Sequence, residues 1–224
     1  MKKLFLVAAM TVAALSVSAQ SKVKPGTWSI QPKAGVTITS VTGLDELDGV
    51  MKDIAVKSES QVNVGATIGA EAEYQINDRF SVAAGVGYIM QGKQWDDYKV
   101  PGVEIKDMKI DLGYINVPIV ANYYIFKGLA VKAGVQFAFM TNAKYKYTVK
   151  TGNTETTQDI DIKDNCKTFD FSIPVGVSYQ FKVPITIDAR YQIGLTRLNK
   201  YNEEGIKNSK NSVFTVTVGY KFAL

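Results

Sequence analysis

Hydrophobic and polar residues alternate with a period of two along almost the whole chain. The last eleven residues show this most clearly, because apolar side chains occupy every even position from Phe214 to Leu224. Successive side chains of a β-strand point to opposite faces, so this segment is predicted to be a strand with one apolar face. Seven further runs follow the same rule, at 28–38, 62–73, 80–88, 114–125, 129–139, 169–181 and 185–195. The pattern predicts an all-β chain of eight strands.

The connections between these strands alternate between tight and long. Tight turns are predicted at Asn77-Asp78, Lys127-Gly128 and Lys182-Val183, and long loops at 40–61, 91–111, 141–168 and 196–212. This order places every long loop at one end of the sheet and every tight turn at the other. Proline lacks the N–H that a β-ladder needs, so a local bulge or distortion is predicted at Pro118. The same caution applies to Pro32 and Pro174.

Composition alone resembles that of an ordinary soluble protein, with 224 residues and a mean hydropathy of −0.03. The even strand number, the apolar stretches of about 9–11 residues and the unequal connections are instead typical of an outer-membrane barrel. Aromatic residues also gather near both ends of the strands, as in the two interfacial belts of such barrels. We therefore predict an eight-stranded antiparallel up-and-down transmembrane β-barrel with a polar lumen. Its four long loops are predicted to be extracellular, and its three short turns and both termini periplasmic.

The face opposite the apolar one carries charges of both signs, which a soluble lipocalin-type barrel would not place inside. The predicted lumen charge network is structural and comprises Lys33, Glu71, Glu73, Lys132, Asp170, Asp188, Arg190 and Lys221. Nine glycines share this face and leave room for long side chains. An eight-stranded barrel has space inside only for its own side chains, so we favour a salt-bridged plug over a small conductive path. The four cations are expected to neutralise the four acids.

Both termini carry patterns that predict export and assembly. Lys2 and Lys3 precede an apolar stretch too short to span a bilayer, and the sequence ending at Ala19 fits a signal-peptide cleavage site. We predict a signal peptide over 1–19 and a barrel domain over 20–224, which lowers the formal charge from +5 to +3. The remaining basic residues form no cluster that indicates nucleic-acid binding. Gly219, Phe222 and Leu224 resemble the C-terminal signal recognised by the barrel-assembly machinery.

The chain contains no histidine and one cysteine. These counts exclude a Ser-His-Asp triad, a Cys-His pair, an HExxH zinc site and an intramolecular disulfide. Barrel lipases and proteases generally need histidine as the proton shuttle, so we predict no enzymatic activity, no metal and no cofactor. Cys166 is expected to be an isolated thiol.

Three segments carry a family resemblance: Gln31–Gly35, Gly113–Tyr124 and Gly128–Phe137. They resemble the PorT-like outer-membrane β-barrel family of Gram-negative bacteria, and the resemblance covers essentially the whole predicted mature chain. It implies an eight-stranded barrel without catalytic residues, surrounded by outer-membrane lipid. One namesake subgroup takes part in protein secretion. We therefore expect a structural or surface-interaction role through the loops, with an accessory role in secretion or transport, or a narrow pore, as alternatives.

Overall fold

The computed structural model describes residues 24–42, 60–100, 103–152, 154–198 and 210–224, and β-strands make up most of them. Among these residues, one 3₁₀ turn, Lys163–Asn165, lies between two strands. No helix in these ranges has the length and apolar content needed to cross a bilayer. The strands are β1 (Trp28–Thr42), β2 (Ser60–Gln75), β3 (Phe80–Trp95), β4 (Tyr98–Val100), β5 (Val103–Phe126), β6 (Leu129–Thr151), β7 (Thr154–Asp161), β8 (Phe169–Gln180), β9 (Ile185–Gly194), β10 (Lys210–Tyr220) and β11 (Phe222–Ala223).

Eight of these strands close into a ring. They are hydrogen-bonded in the order β5-β3-β2-β1-β10-β9-β8-β6, and the pairing of β5 with β6 completes the circle. Every pairing is antiparallel, and β11 continues along β1 beyond the end of β10. Neighbours in the ring follow one another in the chain, as in an up-and-down barrel. The predicted all-β, eight-stranded barrel is confirmed.

The three tight turns lie where the sequence predicts them. They join β2 to β3, β5 to β6 and β8 to β9 at one end of the barrel, which we call the turn end; the opposite end is the loop end. Gly128 has a φ of +86°, and a Cβ added there would lie 2.4 Å from the carbonyl oxygen of Gln180. Only glycine fits such a turn without displacing the neighbouring strand.

The strands extend further at the loop end than the sequence predicted. The predicted loop 91–111 contains the end of β3, all of β4 and the start of β5, and the predicted loop 141–168 contains the end of β6 and all of β7. We call β4, β7 and the paired parts of β5 and β6 (103–111 and 144–151) the hairpin sheet. Apolar residues such as Tyr145, Tyr147 and Val149 still alternate with polar ones here, but the sheet carries many more charged side chains than the barrel strands do. The predicted loops 40–61 and 196–212 lie largely outside the described residues.

Pro118 causes the predicted local distortion without a bulge. The pairing of β3 with β5 is interrupted there, between Ala84↔Ile119 and Gly87↔Asn116, but the register is the same on both sides. On its other side Pro118 pairs with Gln136. The register of β5 with β6 shifts instead at Gly113/Tyr114, where β6 contains one extra residue, Thr141. Pro32 and Pro174 likewise pair on one side only: the ladder of β1 with β10 and β11 is interrupted at Pro32, and that of β6 with β8 at Pro174, without a change of register.

The two faces of the wall have the predicted characters. Outward side chains are apolar and exposed, as shown by Val64 at 67% and Ile68 at 64%. Aromatic rings contact one another at both ends, such as Trp28 with Tyr74 at the turn end, where their centroids lie 5.0 Å apart. Inward side chains are mostly polar and buried, so the apolar surface of this barrel faces its surroundings and its interior is hydrophilic.

Candidate functional site

The middle of the lumen holds a chain of five charged side chains, which we call the ion layer: Lys33, Glu71, Arg190, Asp188 and Lys132. Arg190 donates from Nη1 to Glu71 Oε1 at 2.6 Å and from Nη2 to Glu71 Oε2 at 2.8 Å. It also donates to Asp188 Oδ2 at 2.9 Å, and Lys132 Nζ lies 2.5 Å from the same oxygen. Lys33 contacts Glu71 from the neighbouring strand β1. The layer contains three cations and two anions, which alternate along the chain.

Strand geometry places these groups together. Asp188 and Arg190 are two residues apart on β9 and therefore share its inward face. Glycine provides the space that Glu71 and Arg190 occupy. A Cβ at Gly85 would lie 2.5 Å from Glu71 Cγ, and a Cβ at Gly176 would lie 3.0 Å from Arg190 Cγ. Small residues opposite long ones let charged side chains meet inside a narrow barrel.

A second charged group lies between the ion layer and the turn end. Lys221 Nζ lies 2.8 Å from Glu73 Oε2, and Tyr124 and Ser81 each donate to Glu73 Oε1 at 2.7 Å. Asn122 donates in turn to Ser81 at 2.9 Å. A cavity of about 10 Å³ beside this group has room for one water molecule. Glu73 is thus buried with several hydrogen-bond donors and one cation around it.

Asp170 lies apart from the other predicted lumen charges. It accepts a hydrogen bond from Asn211 Nδ2 at 2.9 Å, and its Oδ1 has no hydrogen-bond partner in the described structure. No lysine or arginine of the described residues forms an ion pair with it. The structure therefore joins seven of the eight predicted side chains in ion pairs and leaves the carboxylate of Asp170 near the loop end without a cation.

Above Asp170 the interior contains an apolar cluster as well as the buried side chains of Gln91 and Lys93. This apolar plug consists of Ile89, Leu112, Tyr114, Ala138, Met140, Ala143 and Val213, and Ile162, Cys166 and Leu198 pack against it. The plug was not predicted, because apolar positions in the sequence were assigned to the outward face. The sequence does contain the signal, because side chains two residues apart on a strand share a face. Val213 lies two residues before Thr215 and therefore points inward with Thr215 and Thr217. The plug lies between the ion layer and the loop end.

The remaining predicted positions lie at the turn end, at the loop end or outside the described residues. Gly219 faces inward against the side chain of Gln31, while Phe222 and Leu224 are exposed at the turn end, Leu224 at 74%. Cys166 is a free thiol, half-buried between the 3₁₀ turn and β8. Ala19 and the predicted signal peptide lie outside the described residues. Within the described ranges, no group of three or more acidic, histidine or cysteine side chains is arranged to hold a metal ion.

The hairpin sheet is a charged surface beyond the barrel wall. Lys144 and Asp159 lie 3.2 Å apart, and Lys150 and Glu155 lie 3.0 Å apart, across the β6–β7 pairing. The hydrogen bond and charge of Lys150 hold the pKa of the exposed Glu155 carboxyl below its usual value. Exposed ion pairs of this kind contribute little to stability, so their main effect is to favour this pairing of β6 with β7.

Comparisons with known proteins bear on this architecture. The family model for the outer membrane protein beta-barrel domain matches residues 18–200. A comparison with curated proteins gives no match.

Among solved structures, the attachment invasion locus protein Ail of Yersinia pestis is 13% identical, with 88% of this chain and 99% of that chain covered and a TM-score of 0.42. Neisserial surface protein A is 18% identical, with 87% and 97% covered and a TM-score of 0.42. OprG from Pseudomonas aeruginosa is 13% identical, with 89% and 97% covered and a TM-score of 0.44. At these identities and TM-scores, the functions of these proteins cannot be assigned to this chain.

The closed ring, the exposed apolar wall and the hydrophilic interior agree with the family model, which matches most of the chain. This protein belongs to the family of the outer membrane protein beta-barrel domain and is an outer-membrane β-barrel protein.

Proposed function

We propose that this barrel is a non-enzymatic surface-interaction protein and that the hairpin sheet is its interacting element. One observation carries the proposal: β5 and β6 are 24 and 23 residues long, whereas a transmembrane strand needs about 9–11. Roughly half of each strand therefore extends beyond the membrane. Every residue of β7 is exposed, and rigid scaffolds that present exposed segments commonly carry binding functions.

The interior supports a role outside the lumen. Arg190 and Glu71 join opposite parts of the wall, and the apolar plug lies between the ion layer and the loop end. Eight-stranded barrels are filled by their own side chains, which disfavours a pore as the main function. A chain without histidine also lacks the usual proton shuttle of barrel hydrolases.

The proposed function includes an orientation in the membrane. The hairpin sheet faces the outside of the cell, and the tight turns face the periplasm together with both chain termini. Short periplasmic turns and longer extracellular segments are the usual arrangement in this class of barrel. The exposed Phe222 and Leu224 then lie where the barrel-assembly machinery would meet the C-terminal strand during insertion.

A shortened chain tests the surface role. Residues 146–159 are replaced by Asn-Gly, because Tyr145 and Ile160 are cross-strand partners that a two-residue turn can join. In a deletion strain we expect both the full and the shortened chains to assemble, and only the full chain to restore adhesion of cells to a surface and to one another. Equal adhesion with the two chains would contradict the proposal.

The alternative is an accessory role in secretion or transport, as the PorT-like resemblance of Gly113–Tyr124 and Gly128–Phe137 implies. The same deletion strain separates the two functions. Loss of many exported proteins from the culture medium, with adhesion unchanged, would favour the secretion role. Normal export with altered adhesion or envelope integrity favours the surface role.

A further inference from the structure

The outward wall is interrupted by a groove at the turn end. The groove has a volume of about 30 Å³ and lies across β6, β8 and β9. Leu129 pairs with Tyr179, and Tyr179 with Ile187, so these three side chains form one outward row. In the next row Ala189 pairs with Val177, and its single methyl group leaves a depression in the wall.

The groove is open to the membrane and lined by hydrocarbon. Tyr179 and Phe181 stand at its turn end with their rings edge to face and their centroids 4.9 Å apart. Because the outward wall of a transmembrane barrel contacts lipid, an acyl chain is what covers this surface. A groove between side chains holds one chain in a fixed place, whereas a smooth wall does not.

Two lysines lie beside the groove in the adjacent turns. The N–H of Gln180 donates to the carbonyl oxygen of Gly128 at 2.8 Å, which holds the β5–β6 turn against the end of β8. Lys127 precedes Gly128, and Lys182 follows Gln180 by two residues; both are exposed. The segments 126–129 and 181–185 contain no acid. In contrast, the third tight turn contains Asp78 beside Arg79.

We propose that the groove and these two lysines form a binding site for one anionic phospholipid. One acyl chain lies over Ala189 and Val177, and the phosphate binds Lys127 and Lys182 at the height of the aromatic belt. Apolar contacts provide the affinity for a chain, and the uncompensated positive charge selects an anionic headgroup. The choice of a phospholipid from the periplasmic leaflet, and not of lipid A, rests on the orientation proposed above.

Native mass spectrometry of the detergent-purified full chain tests this site. The protein is incubated with phosphatidylglycerol or with phosphatidylcholine of the same acyl chains, and retained lipid is counted. We expect one phosphatidylglycerol per chain, bound about 30-fold more tightly than phosphatidylcholine, since each lysine near an anionic group contributes about 1 kcal/mol and 1.4 kcal/mol is a factor of ten.

Variants separate the groove from the charges. Lys127→Gln/Lys182→Gln is expected to remove the preference for the anionic lipid, and Ala189→Phe to reduce binding of both lipids by filling the depression. Arg79→Gln at the third turn and Ala84→Phe, at an exposed position on the wall of β3, serve as matched controls and are expected to bind as the unmodified protein does. Circular dichroism establishes that each variant folds.

Three outcomes would overturn the site. They are several lipids per chain without headgroup preference, equal retention by the charge variant and its Arg79→Gln control, or equal retention by Ala189→Phe and Ala84→Phe. A parallel incubation with lipid A tests the leaflet. Stronger retention of lipid A than of phosphatidylglycerol would overturn the assignment to the periplasmic leaflet. Because adhesion by the hairpin sheet is measured in a separate assay, failure of the lipid site and failure of the surface role can be distinguished.

Discussion

Arg190 and Glu71 face each other across the lumen from β9 and β2, joined by two parallel hydrogen bonds of 2.6 and 2.8 Å. Such bidentate pairs fix geometry as well as charge. Their partners Asp188, Lys132 and Lys33 extend the contact to β6 and β1, so side chains from four strands meet in one layer. The ion layer thus ties the wall together from the inside at the middle of the lumen, below the apolar plug.

Glu71→Gln is expected to destabilise the barrel by about 3 kcal/mol, because it leaves two buried cations short of an anion. The double variant Glu71→Met/Arg190→Met should lose less than the sum of the two single variants, since it removes both charges. Urea unfolding in phospholipid vesicles measures these differences. A Glu71→Gln variant within about 0.5 kcal/mol of the unmodified protein, a typical surface effect, would contradict the role of the pair.

Unlike Glu71→Gln, the substitution Asp170→Asn is not expected to lower the free energy of unfolding. This carboxylate is buried beside Asn211 without a cation among the described residues, so removing its charge relieves a desolvation cost instead of breaking a pair. We expect stability unchanged within about 1 kcal/mol, or increased, in the same unfolding assay. A loss as large as that of Glu71→Gln would show that Asp170 has a charged partner.

Gly85→Ala tests the space that glycine leaves for the ion layer. The added Cβ would lie 2.5 Å from Glu71 Cγ and 2.5 Å from the carbonyl oxygen of Ala70, so Glu71 or the backbone must move. Overpacking of this kind costs about 1–3 kcal/mol. Ala84→Val, one residue earlier and facing outward, is the control and should unfold at the same urea concentration as the unmodified protein. Equal midpoints for both variants would exclude the steric role of Gly85.

Alternation along the sequence was sufficient to predict the barrel, its tight turns and the side of the wall on which each charge lies. It did not determine which charges pair. Lys33 and Arg190 both reach Glu71, from a neighbouring strand and from the far side of the lumen, and this depends on the stagger of the closed sheet. A strand pattern read one segment at a time contains no information on that stagger.

The strand ends were mispredicted because the segments 91–111 and 141–168 contain many charged and turn-forming residues, which are typical of loops. The alternation of Tyr145, Tyr147 and Val149 with polar residues was the signal for a strand there. The pairing is held by cross-strand contacts such as Lys146 with Asp111 at 3.3 Å. The plug around Tyr114 was missed because its apolar side chains point inward. In the part of the barrel that spans the membrane, apolar side chains point outward, and that rule was applied to every strand.

The ion layer and the apolar plug predict an electrically silent barrel. In planar bilayers the unmodified protein is expected to show no stable single channels, because the ion layer and the apolar plug both occupy the narrow lumen. Leu112→Ser/Met140→Ser, which weakens only the plug, should remain silent for the same reason. Stable, sizeable channels from the unmodified protein would contradict the structural role assigned to the lumen charges.

The position of Cys166 makes the membrane orientation measurable. It lies at the loop end between β7 and β8, and it is the only cysteine in the chain. We expect a membrane-impermeant maleimide to label Cys166 on intact cells, and Cys166→Ser to remain unlabelled. Val183→Cys in the Cys166→Ser background places a thiol in a tight turn, and we expect its labelling only after the outer membrane is permeabilised. The reverse pattern would invert the orientation.

The pH dependence of the labelling rate tests whether the Cys166 thiol is partly buried. Burial, and then the nearby charge of Asp161, raises the pKa of the Cys166 thiol above its ordinary value. The thiolate is the reactive species, so at neutral pH Cys166 should react more slowly than an exposed thiol introduced as Thr151→Cys in the Cys166→Ser background. Its rate should rise about tenfold per pH unit and level off at a higher pH than that of the exposed thiol. Identical pH profiles for the two thiols would show that Cys166 is fully open to solvent, and that the loop segment from Ile162 does not pack on the apolar plug.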